Sequence, residues 1–265
     1  MPIFLLVGGE SGIIKRLYFY PSVSRTIFHL VDPCLLMLYT TQGIVLSHIK
    51  YRDTSIITKI FTKTWGLQTY IVQGVRAKKP KHNIALFQPL ALLDMVVRHK
   101  KQRNMQYVTE VRCHAPNSNI LTNIHKATMV VFLAEFLTKV IREEEHNEKL
   151  FYFLREEVVR LNEQPAGYEF FYLTFMLRLS HYLGFGISTF QDIYTQLRRL
   201  GQHWEIDQET VECLDHLLAN KLTQEHLIID KSLRRRVTEI IIKFYQLHID
   251  SLDTLKSLKV LQEIN

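Results

Sequence analysis

Residues 43–75 read GIVLSHIKYRDTSIITKIFTKTWGLQTYIVQGV. Three runs rich in β-branched and aromatic residues, 43–49, 55–61 and 68–75, are parted by short polar breaks, the second of them the tight turn Thr64-Trp65-Gly66. Side chains branched at Cβ crowd a helix and pack well on a pleated surface, so each run predicts a strand. Ala91, Leu93, Met95 and Val97 alternate on one face of a fourth strand, and residues 105–113 predict a fifth, closed by Pro116-Asn117-Ser118-Asn119. Five strands within about 80 residues, with a longer gap between the third and the fourth, predict a small Greek-key barrel of OB type.

Charge marks out the same block. The chain has 265 residues and a formal net charge of +7, and residues 37–120 carry 13 Lys and Arg against 3 Asp and Glu. Residues 121–265 carry 17 against 21, and residues 1–36 carry 3 against 2. Concentrated positive charge of this kind points to an anionic polymer as partner. The cations cluster where strands end: Lys50 and Arg52 between the first and second, Arg76, Lys78, Lys79 and Lys81 after the third, Arg98, Lys100, Lys101 and Arg103 around the turn between the fourth and fifth. Tyr51, Trp65, Tyr70, Phe87 and Tyr107 are interleaved with them. Outward-facing rings would stack bases, at about 1–3 kcal/mol per base. The bland alternative is solvated loop cations around core aromatics.

From residue 121 the period changes from two to 3.6. Met129, Phe132, Leu133, Phe136, Leu137 and Val140 form one stripe, capped by Thr122 or Asn123 and ended by residues 142–145. Residues 148–161 predict a second helix, and 167–183, apolar nearly all round, a central buried one stopped at Gly184. Residues 184–206 lack a strong period and read as loop. A short helix is expected at about 208–219. Asp230 caps a long helix carrying Val237, Ile240, Ile241, Phe244 and Leu247, and Leu252, Leu255, Leu258 and Leu261 mark a last helical segment. The fold class is therefore α+β, with residues 37–118 as the OB-type domain and 119–265 as a helical domain.

Two cationic features stand out in the helical half. Arg178 interrupts the apolar helix, and a buried arginine needs either a helical Glu or, in a functional reading, a peptide carboxylate beside an apolar pocket. Arg234-Arg235-Arg236 falls in the first turn of its helix, where the dipole opposes cations. It is either a solvated face offset by Asp230 or a second phosphate-contacting patch.

Several classes are excluded. No run of about 18 apolar residues is present, which argues against a membrane-spanning helix. Cys34, Cys113 and Cys213 form no disulfide framework and no CxxC pair, which fits a reducing cytoplasm. His203, Cys213, His216 and His226 lack ligand spacing, so no metal is expected. Gly8, Gly9 and Gly12 with Lys15 do not meet G-x-x-x-x-G-K-[ST], and no HExxH, GxSxG or GxGxxG occurs, so neither catalysis nor a cofactor is expected. Residues 1–36 show no clear period, read as an extension outside the fold and make no signal peptide; Met37 is the expected start.

From Met37 onward the chain resembles the bacterial RecO family of recombination-repair mediators. Thr41-Gln42-Gly43-Ile44-Val45-Leu46 resembles the family's opening strand, residues 51–57 with Phe61-Thr62 its second, and Gly66 through Arg76 with Lys78-Lys79 its third strand and basic loop. Leu86-Phe87-Gln88-Pro89-Leu90 resembles the lead into strand four. Phe132-Leu133-Ala134-Glu135, Arg142-Glu143, and Phe175-Met176-Leu177-Arg178-Leu179 through Phe185 resemble its helical core. The resemblance implies binding of single- and double-stranded DNA, annealing of complementary strands, and work with RecR to load RecA onto DNA coated by single-strand-binding protein (SSB). It implies that the coat protein's acidic C-terminal tail docks on the helical domain, where Lys139, Arg142 and Arg178 are the candidates. It also implies a bacterial, nucleoid-associated location. Many members carry a four-cysteine zinc site; the matching region here, 184–226, offers only Cys213, so a zinc-lacking variant is expected. Members begin near the first strand, which leaves residues 1–36 outside the resemblance. The rival readings are an OB-type RNA-binding protein and a helical protein–protein adaptor with a basic binding block.

Overall fold

The computed structural model describes residues 6–7, 13–16, 38–100, 102–142, 146–199, 206–219, 230–250, 252 and 254–264. The chain divides into two compact units, residues 1–116 with 143–147, and residues 117–142 with 148–265.

In the first unit, β1 (Leu6–Val7) pairs antiparallel with β2 (Ile13–Arg16), and β2 joins the start of β3 (Leu38–Tyr51) at Ile13↔Tyr39 and Ile14↔Leu38. The remainder of residues 1–37, including Met37 and the glycines of the first stretch, lies outside the described residues. β4 (Ser55–Thr62), β5 (Gly66–Val72), β6 (Leu92–Arg98) and β7 (Gln106–Ala115) follow. β3 pairs with β4, β4 with β5, β5 in parallel with β7, β7 with β6, and β6 returns to β3, so five strands close into a ring of OB type. Closure depends on the 14 residues of β3. Its first half, from Leu38 to Ile44, pairs with β6, and its second half, from Gly43 to Tyr51, with β4, across a bulge between Val45 and Ser47. A bulge increases local twist and lets one strand serve both sides.

Alternation decides what fills the ring. Ile56 and Ile60 on β4, Tyr70 and Val72 on β5, Leu93, Met95 and Val97 on β6, and Val108 and Val111 on β7 point inward, and Val75 and Phe87 from the β5–β6 connection complete the core. Gly43 lies where β3 changes partner. A Cβ there would fall 2.5 Å from Ile60 Cγ2 and 2.6 Å from Met95 Cε. Gly43→Val is therefore expected to cost about 1–3 kcal/mol by overpacking. Urea unfolding would show this as a lower midpoint at unchanged slope.

The second unit holds α1 (Ser118–Thr122), α2 (Ile124–Val140), α3 (Glu148–Glu163), α4 (Phe171–Tyr182), α5 (Phe190–Arg199), α6 (Gln208–Leu218), α7 (Lys231–His248) and α8 (Lys256–Ile264). Asn123 caps α2, accepting from the backbone N–H groups of His125 and Lys126. Asp230 caps α7 through Leu233 N–H at 2.6 Å. α4 is central, with Phe171, Leu173, Phe175, Met176 and Leu179 all buried. The Tyr245 hydroxyl donates to Met176 O at 2.6 Å, and the Tyr172 hydroxyl pairs with Thr238 Oγ1 at 3.1 Å, so α7 is locked to α4 by buried polar contacts as well as by packing. Glu135 on α2 takes the place of a cap for α8, accepting from Lys256 N–H at 3.0 Å and from the N–H and hydroxyl of Ser257. Burial opposes its ionisation, but these bonds outweigh burial and hold the carboxyl below the usual range.

Two expectations are corrected. Residues 184–206 are not simply loop, because α5 occupies 190–199. Phe190, Ile193 and Leu197 are buried at i, i+3 and i+7, a short amphipathic stripe within ten residues. Its start is fixed by side chains: Asp192 accepts from Ser188 N–H at 3.1 Å and Thr189 N–H at 2.9 Å, and Asp215 accepts from Phe190 N–H at 2.9 Å. Thr189-x-x-Asp192 is the capping-box spacing that marks such a start. The second correction is Arg178, which is not buried: its side chain is 48% exposed.

Candidate nucleic-acid interface

The ring gathers the basic residues into two groups. At the β3–β4 hairpin, Lys50 and Arg52 are exposed, and Arg52 sits at φ +49° with its guanidinium 5.2 Å from the Tyr51 ring centroid. Arg76 joins them although it follows β5: its N–H donates to Thr54 O at 3.0 Å and its guanidinium to Arg52 O at 3.4 Å. At the β6–β7 hairpin, Arg98 and Arg103 are exposed and Lys100 is half-buried. This hairpin is tied by Gln106, 2% exposed, whose side chain accepts from Lys100 N–H and donates to the carbonyls of Lys100 and Arg103 at 2.8–2.9 Å. Sequence reading missed Gln106 because it carries no charge and works on the backbone of the turn just before it. Lys101 lies outside the described residues.

Lys78, Lys79 and Lys81 are exposed in the connection between β5 and β6. Lys81 Nζ donates to Thr109 O at 3.0 Å, which draws this loop against β7. Burial and the neighbouring Lys81 charge pull His82 below the ordinary imidazole range.

Strand register joins the two groups. Arg98 opposes Tyr107, Tyr107 opposes Ile71, Ile71 opposes Ile57, and Ile57 opposes Ile49, beside Lys50. Residues opposed in register project from the same side of a sheet, and this row alternates with the core positions Val97, Val108, Val72 and Ile56. It therefore forms an outer face, along which Ile49 is 63% exposed, Tyr107 and Ile57 are half-buried and Ile71 is buried. Lys59 is two residues from Ile57 on the same face and is exposed. It sits mid-strand, apart from the cations clustered at strand ends.

The interleaved aromatics separate into two kinds. Tyr70 and Phe87 are fully buried in the core and cannot meet a base. Tyr51, Trp65 and Tyr107 are partly exposed. Trp65 stacks on His99 with centroids 4.2 Å apart and planes at 10°, and Tyr39 meets Trp65 edge-on at 5.5 Å. Burial lowers the His99 pKa, so this stack is between neutral rings at neutral pH. A different face of the ring, across β3, β6 and β7, holds a groove of about 700 Å³ lined by Asp94 and Glu110 as well as Lys63 and Arg112. Its mixed charge suits a polyanion poorly.

In the helical unit, Arg178 reaches the buried carboxylate of Glu157 at 2.5 Å, and Arg160 pairs with the same carboxylate. The Arg178 guanidinium lies 5.5 Å from the Phe153 centroid, and Phe153 stacks on Tyr182 at 4.3 Å. Both readings of Arg178 thus have a physical basis: a salt bridge to a helical Glu, and an exposed edge beside aromatic surface. Lys139 is half-buried near the end of α2 beside Glu135, and Arg142 is exposed just after that helix, whereas Arg178 is on α4, so the three docking candidates belong to two separate parts of the helical unit.

Among the described residues no group of three or more His, Cys, Asp and Glu side chains is placed to hold a metal ion. His203 and His226 lie outside the described residues. Cys213 is buried in α6, and burial first, then the Glu209 charge, push its thiol up to about 12, which makes it a poor ligand. No helix among the described residues is long and apolar enough to cross a membrane.

Comparison with known proteins gives one family for residues 37–117 and 121–259. Residues 37–117 match the family model described as Recombination protein O N terminal, and residues 121–259 match Recombination protein O C terminal. The chain is similar to proteins named DNA repair protein RecO. The Christiangramia forsetii protein is 32% identical over 239 residues. Those of Bacteroides fragilis and Flavobacterium johnsoniae are 31% identical over 240 and 236 residues. Each alignment covers 86% of this chain and 99% of the relative.

Proposed function

The chain belongs to the RecO family of DNA repair proteins, and from that membership we propose that it is a non-catalytic recombination mediator whose DNA interface is the outer face of the ring. The observation that carries this reading is the register row from Arg98 through Tyr107, Ile71 and Ile57 to Ile49, flanked at both ends by cations. Strand face and hairpin loops are the parts of an OB ring that hold single strands. Lys50, Arg52, Arg76, Lys78, Lys79, Lys81, Arg98, Lys100, Lys101 and Arg103 neutralise backbone phosphates, joined by Lys59. Tyr107 and the exposed isoleucine offer apolar surface to bases. Screening the phosphates of two strands lowers the repulsion that opposes pairing, and no nucleotide hydrolysis is needed.

The helical unit tethers the mediator to coated DNA. Arg178, with its carboxylate partner and the Phe153–Tyr182 stack beside it, offers charge and aromatic surface to an acidic, apolar tail. Lys139 and Arg142 add positive charge at the end of α2. RecR and, through it, RecA complete the loading step, in the bacterial cytoplasm at the nucleoid.

The test is annealing of complementary oligonucleotides coated with the cognate single-strand-binding protein, without ATP and across a salt series. The expected result is faster annealing, at least tenfold over the protein-free rate, lost when the coat protein's C-terminal tail is removed. DNA binding with no annealing would defeat the mediator reading. Tighter binding to a strand bearing 2′-hydroxyls would move the assignment to RNA.

A further inference from the structure

The helical half is acidic overall, with 17 Lys and Arg against 21 Asp and Glu in residues 121–265. One cavity, of about 230 Å³, opposes that trend. It lies among the start of α7, α4 and α8, where Lys231, Arg234 and Arg235 line it together with Tyr172, Ser232 and Gln262. No carboxylate side chain lines it.

The three cations belong to the first five residues of an 18-residue helix, at the positive end of its dipole. Each is opposed there by the helix dipole. At Asp230 and Arg235 the acids relieve this only in part. The Asp230 carboxylate is engaged by Leu233 N–H. Glu239 meets Arg235 at 3.4 Å with both side chains more than half exposed, a geometry worth little in water. Neighbouring Arg236 is treated differently: it turns away to Asp207 at 3.2 Å and Glu209 at 2.7 Å. Lys231 Nζ donates to Glu263 O at 2.7 Å, which uses one of its three donors. The Tyr172 hydroxyl is committed to Thr238, so its ring serves as wall.

Positive charge gathered in a cavity against the helix field is stabilised when an anion enters. We propose that this cavity binds phosphate, specifically a backbone phosphate of nucleic acid. Two guanidiniums and an ammonium match the spread oxygens of a phosphodiester, and Arg can engage them through two donors at once. A peptide terminus would need an apolar hollow beside the charge, and only Leu261 and the Tyr172 ring supply such surface. The inference rests on DNA as the ligand and deepens that reading. A phosphate contact on the helical unit, beyond those of the ring, lets one chain hold two nucleic-acid segments, which annealing requires.

The experiment uses the full chain and a duplex oligonucleotide, with affinity measured against salt. Lys231 and Arg235 are exposed, so Lys231→Gln with Arg235→Gln should fold normally. That pair is expected to lower the slope of log affinity against log salt by about 1–2, while Lys231→Arg with Arg235→Lys keeps the wild-type slope. If the glutamine pair does not fold, Arg235→Gln alone is read the same way, with a fall of about 1 expected. A folded glutamine variant with the wild-type slope overturns the proposal. So does a variant that keeps the DNA slope and loses binding of an acidic peptide with a free C-terminus. Lys78→Ala, Lys79→Ala and Lys81→Ala together are measured in parallel. A slope lost there but kept in the glutamine pair overturns the cavity alone; a slope kept in both overturns the DNA reading with it.

Discussion

Replacing Lys78, Lys79 and Lys81 together with alanine is expected to weaken duplex DNA binding about a hundredfold near 0.15 M salt and to lower the salt slope by about 2.7. Both figures follow from losing three phosphate contacts at about 0.9 of slope each. All three side chains are exposed, so the fold should be indifferent to their loss, and thermal unfolding should stay close to wild type. Lys81 has a second role, since its bond to Thr109 O fastens the loop to β7. Lys81→Ala alone should therefore cost more affinity than Lys78→Ala or Lys79→Ala alone, because it releases the other two from their positions. Arginine at all three sites should restore binding. A triple alanine variant that bound normally would remove the loop from the interface and leave the two hairpins and the strand face to carry it.

The largest stability effect is expected from Arg160→Ala with Arg178→Ala. Glu157 has a side chain only 3% exposed, and both guanidiniums converge on its carboxylate. Removing them leaves a buried negative charge without its partners. Such a loss costs about 3–5 kcal/mol when the pair is fully enclosed. The two arginine side chains are 43% and 48% exposed, so water screens the interaction, and about 2–4 kcal/mol is expected here. Each single variant should cost much less than half of that, because the remaining arginine still serves the carboxylate, so the effects should not add. Urea midpoints of the two single variants and the double variant measure this directly. Adding Glu157→Gln to the double variant should recover part of the loss, since it removes the unpaired charge. If the double variant is as stable as wild type, Arg178 has no structural duty and its position is explained by surface recognition alone.

The helical stripe from Met129 to Val140 and the alternation of Leu93, Met95 and Val97 were readable because packing repeats at 3.6 or 2 residues, and a repeat is a local property. The caps at Asn123 and Asp230 were readable for the same reason, since a cap acts within three residues. α5 carries the same local signals, Thr189-x-x-Asp192 and the stripe Phe190, Ile193 and Leu197, and only the bond from Phe190 N–H to Asp215 on α6 needed the tertiary structure. Arg178 shows the limit most clearly. Its neighbours along α4 are buried, yet the guanidinium emerges to the surface of that helix, and only the placement of α3 decides this. Tyr70 and Tyr107 are similar in the sequence, each an aromatic on a strand near basic loops. Inward and outward projection give one to the core and the other to the candidate interface.

By itself, then, the sequence determined the order of the five ring strands and of most helices, the concentration of net positive charge in residues 37–120, and the want of any catalytic motif. These depend on residue type and short-range spacing. Tertiary structure alone decided that β3 closes the ring by pairing with two partners, bringing Gln42 to within a hydrogen bond of Asp94, 52 positions away. It alone decided that Arg76 joins Arg52, that a row of side chains links the two basic hairpins, and that Lys231, Arg234 and Arg235 share a cavity with α4 and α8. Each of these is a meeting of distant segments, set by the register and packing of the whole unit, and no local spacing in the chain encodes it.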